Sequence, residues 1–217
     1  MAGLMEIRRR MMRGNTLPPA YTKCDYVQST GGKARIDTGV AGNDSTLKIT
    51  GDVKVMDFRA YNAMLGNHVD DSHKAWRIIQ PGSNTATFII CGTYKHISTI
   101  PSVASGAWQN VPFRFQFLLE YGYAEITING TTTSKTAADD GKTDNNANLA
   151  IGSRNPSVGS GTATHRFYGV KMYRNGILIR DYHPCIRRSD NKAGLYDTVN
   201  HTFNPSTGAE DFVAGND

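Results

Sequence analysis

The sequence of 217 residues has few of the features that membrane spans, metal ribbons and redox motifs require. No apolar run approaches the roughly 18 residues of a membrane-spanning helix. The three cysteines, Cys24, Cys91 and Cys185, are scattered singly. This spacing excludes a CxxC zinc ribbon or redox pair, and an odd count without a secretory leader favours reduced, buried thiols in a protein folded in the cytosol.

Glutamate is scarce, and this argues against a glycosidase. A retaining glycosidase needs two carboxylates about 5 Å apart. The four glutamates are Glu6, Glu120, Glu125 and Glu210. Glu120 and Glu125 have opposite strand parity and are separated by Tyr121-Gly122-Tyr123, which is typical of a turn. We therefore expect exposed hairpin carboxylates and no enzyme; the hydrolase alternative depends on these two residues.

Positive charge is concentrated at the start of the chain. The whole sequence has 24 Lys and Arg against 19 Asp and Glu. Within the first 13 residues, Glu6 is the only acidic residue against four basic ones: Arg8, Arg9, Arg10 and Arg13. This segment therefore carries most of the net charge of +5. The remainder is nearly neutral, and we do not expect its body to grip nucleic acid.

The basic segment predicts a short amphipathic helix or extended arm. Its apolar residues recur near helical spacing and are interrupted by charges, so we do not expect a signal peptide here. Pro18-Pro19 stops any helix and predicts a boundary near residue 20. We expect an anchoring arm at 1–19 and one domain at 20–217.

From Tyr21 onward the chain reads as nearly all β. Short stretches rich in Val, Ile, Thr, Tyr and Phe end at Gly, Asn, Asp or Pro, and no long helix is predicted. Thr46–Met56 alternates well, and Phe113, Phe115 and Phe117 share one face of a strand. The pattern predicts a two-sheet antiparallel β-sandwich of the jelly-roll kind.

Two hairpins are marked by Asn-Gly pairs, which favour tight turns because both central residues need a positive φ. One turns at Asn129-Gly130, and the other turns at Asn175-Gly176.

The segment from Thr131 to Asn146 has almost no apolar residue and predicts a solvated loop.

Several segments resemble concanavalin A-like (laminin G-like) modules of bacteriophage and prophage structural proteins. The resemblance covers most of residues 21–217 and is most specific near the end of the chain. The matching segments are Tyr26–Gly32, Ile36–Val40, Trp108–Phe113, Ile126–Gly130, Leu149–Ser153, Phe167–Gly176, Arg180–Cys185 and Gly194–Asp197, with Phe203, Phe212 and Ala214-Gly215.

The resemblance implies a jelly roll with a curved sheet whose concave face or rim loops often hold sugars, on a tail, fibre or capsid-surface protein. Such modules include lectins, glycosidases and purely structural domains, so the fold alone does not decide the activity. The Glu-x-Asp-x-x-Glu strand of the hydrolases on this fold is absent.

Glycan binding would use aromatic rings for stacking. The candidates are Trp76, Tyr94, Trp108 and Tyr121. Trp108 precedes a strand and also fits a core position.

Asp70 and Asp71 lie between His68 and His73 in a loop that offers oxygen ligands for calcium, as in some laminin G-like modules, although such acidic loops are commonly just solvated. We expect no other cofactor.

The arginines of the arm, Arg8, Arg9, Arg10 and Arg13, admit three interpretations. They could contact nucleic acid, lie on a membrane surface, or anchor the chain to a neighbouring subunit. Folding back onto its own domain is the structural alternative.

The leading hypothesis is a non-enzymatic bacteriophage virion protein, made in the host cytoplasm, whose arm binds other virion proteins and whose jelly roll meets surface glycans. A homo-oligomer is compatible with this hypothesis. A free-standing carbohydrate-binding module is the alternative, with a glycoside hydrolase behind it.

Overall fold

The described part of the chain is built from antiparallel strands. The computed structural model describes residues 17–29, 33–44, 46–56, 62–69, 75–80, 85–86, 88–92, 98–99, 103–104, 111–118, 123–136, 146–154, 157 and 164–217. Within these ranges every regular element is a strand. This confirms the predicted all-β class. Residues 1–16 of the predicted arm at 1–19 lie outside the described residues.

Nineteen strands are present in these ranges. They are β1 (Tyr21–Lys23), β2 (Tyr26–Ser29), β3 (Ile36–Ala41), β4 (Leu47–Val55), β5 (Asn62–Gly66), β6 (Ala75–Gln80), β7 (Thr85–Ala86), β8 (Phe88–Gly92), β9 (Ser98–Thr99), β10 (Val103–Ala104), β11 (Pro112–Leu118), β12 (Tyr123–Ile128), β13 (Thr131–Thr136), β14 (Asn148–Ile151), β15 (His165–Arg174), β16 (Ile177–Arg187), β17 (Lys192–Asp197), β18 (Thr202–Pro205) and β19 (Val213–Gly215).

Two sheets form the sandwich. The large sheet has 11 strands, and its main path runs β13-β12-β11-β4-β15-β16-β17-β18. Strand β1 pairs with β16, β2 pairs with β15, and β19 pairs with β2. The small sheet has six strands in the order β3-β14-β5-β6-β8-β9, and β10 pairs with β7 separately.

The core lies between the sheets. Alternate residues of β4 and β11 point inward, so Phe113, Phe115 and Phe117 pack with residues of the small sheet such as Leu149 and Ile151. These five side chains are at most 1% exposed. Burying one such side chain contributes about 1.5–3 kcal/mol relative to leaving it exposed. The inward positions of the large sheet therefore hold the two layers together.

Both predicted hairpins are confirmed. Ile128 pairs with Thr131 across Asn129-Gly130, and Arg174 pairs with Ile177 across Asn175-Gly176. The turn residues have positive φ angles of 50° and 81° in the first hairpin and 50° and 77° in the second. Asn and Gly adopt this left-handed backbone at low cost, which explains why the chain reverses at these two positions.

One sequence prediction about the second half of the first hairpin was wrong. Thr131–Thr136 is strand β13, paired along its length with β12, and does not belong to a solvated loop. The stretch lacks apolar residues because β13 lies at the end of the sheet path. Threonine has a high β propensity, and the tight turn already directs this segment along β12.

Two cysteines behave as the composition predicts. Cys24 and Cys185 are buried and free. Burial raises the pKa of each thiol to about 12, so neither is reactive at neutral pH.

Among the residues that the structure describes, no helix is long and apolar enough to cross a bilayer.

Candidate functional site

The outward side of the large sheet is a mainly polar surface, which we call the outer face. It is formed by the residues that alternate with the buried ones on β12, β11, β4, β15 and β16. Register brings Glu125, Gln116, Thr50, Lys171 and Asp181 into one row across these five strands. Neighbouring strands are about 4.8 Å apart, so the row spans roughly 19 Å.

An arginine fork lies on one side of this row. Arg114 of β11 donates from Nε and from an Nη to the two carboxylate oxygens of Asp52 on β4, at 2.9 and 3.0 Å. The hydrogen bonds that Arg114 donates to Asp52 raise the pKa of Arg114 above its ordinary value. The fork fixes the guanidinium plane, and 42% of the Arg114 side chain remains exposed to a ligand.

A buried carboxylate lies at the other end of the row. Asp181 is 3% exposed; Lys171 donates to its Oδ2 at 3.1 Å, and Nε2 of His183 lies 3.0 Å from its Oδ1. Burial by itself would raise the pKa of Asp181, but the nearby His183 and Lys171 lower it below the ordinary value. Asp181 is thus an anion that holds the exposed side chain of Lys171 and the partly buried ring of His183 on the outer face.

Two tyrosines lie on the next row of the outer face. Tyr123 pairs with Leu118, and Lys48 pairs with both Leu118 and Tyr173. The Tyr123 hydroxyl donates to Glu125 at 2.7 Å, and Nζ of Lys48 lies 5.5 Å from the centroid of the Tyr173 ring. Both rings are half-buried, and their strands are about 14 Å apart. The row therefore offers two aromatic surfaces beside fixed polar groups.

The site residues predicted from sequence have side chains outside the described part of the structure. Trp76 lies in β6, but its side chain is outside the described part of the structure. The other predicted ligand, calcium and anchor residues also lie outside the described residues: Tyr94, Trp108, Tyr121, Asp70, Asp71, Arg8, Arg9, Arg10 and Arg13. They stay predictions.

Sequence reasoning missed the residues that the outer face brings together. The i, i+2 spacing of Asp181 and His183 on β16 was a usable signal, because it puts both side chains on one face. The pairing of Arg114 with Asp52 could not be predicted from the sequence, since 62 residues separate them.

Among the described residues, no three His, Cys, Asp or Glu side chains form a group that could hold a metal ion.

Comparisons with known proteins add little. No family model and no curated protein matches the sequence. One similar solved structure is the full extracellular region of zebrafish Gpr126/Adgrg6, with 8% identity and a TM-score of 0.48. The match covers 87% of this chain and only 26% of that one. A similarity at this level says nothing about what this chain binds.

Proposed function

We propose that the chain is a non-enzymatic bacteriophage virion protein that binds glycans through the outer face and is attached to the particle by residues 1–19. The observation that carries the binding role is the row of fixed polar groups beside Tyr123 and Tyr173 on the outer face. Sugar sites combine a few oriented hydrogen-bonding groups with aromatic surfaces. The virion role rests on the sequence resemblance.

The spacing of carboxylates on the outer face supports binding without catalysis. Asp52 is two strands and two residues away from both Glu125 and Asp181 in the sheet register. This separates the backbones by about 12 Å. Side chains stand roughly perpendicular to a sheet, so we expect the carboxyl groups to be farther apart than the 5 Å or 6.5–9.5 Å of the two carboxyl groups in glycosidases. In addition, Asp52 is ion-paired with Arg114, and Asp181 is ion-paired with Lys171. The neighbouring His183 and Lys171 lower the pKa of Asp181, so this carboxylate stays ionised at neutral pH.

The binding role is tested by removing one ring. We expect the full chain to bind at least one glycan on an array, and Tyr123→Ala to weaken that binding up to about tenfold by calorimetry. Tyr123→Phe is the matched control, since it keeps the ring and removes only the hydroxyl. Equal losses in the two variants would assign the effect to the Glu125 contact and contradict stacking.

The attachment role is tested in assembled particles. Replacing Arg8, Arg9, Arg10 and Arg13 with alanine in the full chain should abolish incorporation and leave the far-ultraviolet circular dichroism of the body unchanged. Normal incorporation of this variant would overturn the anchor.

A further inference from the structure

A further set of fixed polar groups lies where the outer face adjoins β2. Arg166 of β15 pairs with Gln28 of β2 on one side and with Lys54 of β4 on the other. Its Nε donates to the side-chain oxygen of Gln28 at 2.9 Å, and its guanidinium lies 3.9 Å from the centroid of the Tyr26 ring. The stacking contact and the hydrogen bond together hold the Arg166 guanidinium in one orientation.

Arg166 and Tyr168 bind one carboxylate between them. An Nη of Arg166 donates to Oδ1 of Asp217 at 2.7 Å, and the Tyr168 hydroxyl donates to Oδ2 at 2.6 Å. Burial, followed by the hydrogen bond to Asp217, raises the pKa of Tyr168 above its ordinary value, so the phenol keeps its proton at neutral pH. Two donors in fixed positions thus meet the two oxygens of a carboxylate, which is how proteins recognise this group.

A second cation lies beside this pair of donors. Lys54 is directly opposite Arg166 on the adjacent strand, and it has no ion-pair partner among the residues that the structure describes. Like charges directly opposite each other on neighbouring strands are unfavourable, and an added anion relieves this repulsion. We call Arg166, Tyr168 and Lys54 the carboxylate subsite. Two cations there share the single carboxylate of Asp217.

Asp217 reaches the subsite because the chain passes close to the Tyr26 ring. Gly215 of β19 pairs with Tyr26, and a Cβ on Gly215 would overlap the Tyr26 hydroxyl. Beyond Gly215, the amide of Asp217 donates to the carboxylate of Asp25 at 3.0 Å. In this position 16% of the Asp217 side chain and 19% of the Arg166 side chain are exposed. The side chain of Asp217 therefore occupies the subsite and covers most of it.

The subsite is continuous with the rest of the outer face. Lys54 is two residues from Asp52 along β4, and Arg166 lies one strand further across the sheet. The backbone of Arg166 is thus about 8 Å from that of Asp52, which holds Arg114. Both β4 and β15 are paired on two sides, so a peptide ligand cannot add to them as a further strand.

We propose that the carboxylate subsite binds a carboxylate-bearing sugar of the glycan, such as a uronic acid, and that the side chain of Asp217 occupies the subsite until that sugar binds. The proposal rests on the glycan-binding role proposed above and names the class of sugar. The sugar carboxylate takes the place of the Asp217 carboxylate and keeps the hydrogen bonds from Arg166 and Tyr168. Lys54 gains a partner, and the released Asp217 is hydrated by solvent.

The test uses the full chain and polygalacturonate, whose sugars carry carboxylates, beside its fully methyl-esterified form, whose esters are neutral. Asp217→Ala should bind polygalacturonate about tenfold more tightly than the unchanged chain, because the competing carboxylate is gone. Asp211→Ala is the matched control: it removes the same charge from an exposed position before β19 and should change the affinity by less than about twofold. Circular dichroism checks that both variants are folded.

Two further measurements assign the gain to the subsite. Adding Arg166→Gln to Asp217→Ala should return the affinity for polygalacturonate to that of the unchanged chain or below it. The methyl-esterified form should bind Asp217→Ala and the unchanged chain equally, within about twofold. The proposal is overturned if Asp217→Ala brings no gain, if Asp211→Ala brings an equal one, or if the gain survives Arg166→Gln. Tighter binding of poly-L-glutamate than of polygalacturonate to Asp217→Ala would also overturn it, in favour of an acidic peptide.

Failure of this proposal can be told apart from failure of the glycan-binding role. The array and the Tyr123→Ala variant decide that role without any change at Asp217. If the array shows neutral glycans and Asp217→Ala brings no gain, the binding role stands and the carboxylate subsite is wrong. If the array shows no glycan and Asp217→Ala gains affinity for polygalacturonate as described, the subsite stands by itself.

Discussion

On the inner face of the large sheet, Phe113, Phe115 and Phe117 are each 1% exposed, whereas Arg114, between them on the outer face, is 42% exposed and tied to Asp52. The same strand thus contributes apolar burial to one side and cross-strand ion pairs to the other. Burial of a large side chain is worth several times a half-exposed ion pair. The inner face therefore determines stability, and the outer face can change with little effect on the fold.

The largest expected effect separates the two faces directly. Phe115→Ala should lower the free energy of unfolding by about 3–5 kcal/mol, because it leaves a cavity between the sheets. Gln116→Ala, the next residue on the outer face, should change it by less than about 0.5 kcal/mol. Urea unfolding measures both. A Gln116 effect as large as that of Phe115 would contradict the division between the faces.

Lowering the pH should first reduce the stability of the buried core, through His165. This residue is 1% exposed, and neither ring nitrogen has a hydrogen-bond partner in the described part of the protein. Burial lowers its pKa from 6.5 to about 4. Between these values the unfolded chain binds a proton that the folded chain does not, so stability falls as the pH drops, by about 3 kcal/mol in all.

Unfolding experiments between pH 7 and pH 4 check this expectation. His165→Leu should flatten the pH dependence, because the substituted residue cannot be protonated in either state. An unaltered slope in the His165 variant would contradict the assignment.

Protonation on the outer face should lower the free energy of unfolding at a lower pH than protonation of His165 does, and by less. The pKa of Asp181 is held below its ordinary value of 3.8, so its contribution to stability is complete above that value and is lost as the pH falls through the folded-state pKa. Asp181→Asn should cost about 1 kcal/mol at neutral pH. That cost should vanish at low pH; a cost independent of pH would show that charge is not its cause.

Local patterns were sufficient to predict the all-β class and much of its detail. The alternation of Phe113, Phe115 and Phe117 predicted the strand now seen as β11, and each Asn-Gly pair predicted a turn that the structure contains. These signals are local, because side-chain parity and positive φ depend on neighbouring residues only. The same reasoning missed Thr131–Thr136, since an edge strand without apolar residues has no inward pattern to read.

The candidate site depends on long-range pairing and could not be read in this way. Asp52 meets Arg114 only because β4 and β11 are adjacent in the sheet, and Arg166 meets Asp217 across 51 residues. Composition directed attention to tryptophans and to acidic loops outside the described residues. The outer face instead combines ordinary Tyr, Arg and Asp residues, whose role comes from register.

The claim that the outer face is the binding surface is tested most directly by amide chemical shifts of the isotope-labelled chain during titration with a glycan that binds on the array. The account predicts shifts concentrated at Thr50, Gln116 and Lys171, with little change at Leu149 and Ile151 of the small sheet. Shifts confined to the small sheet, or the absence of any binding glycan, would contradict it.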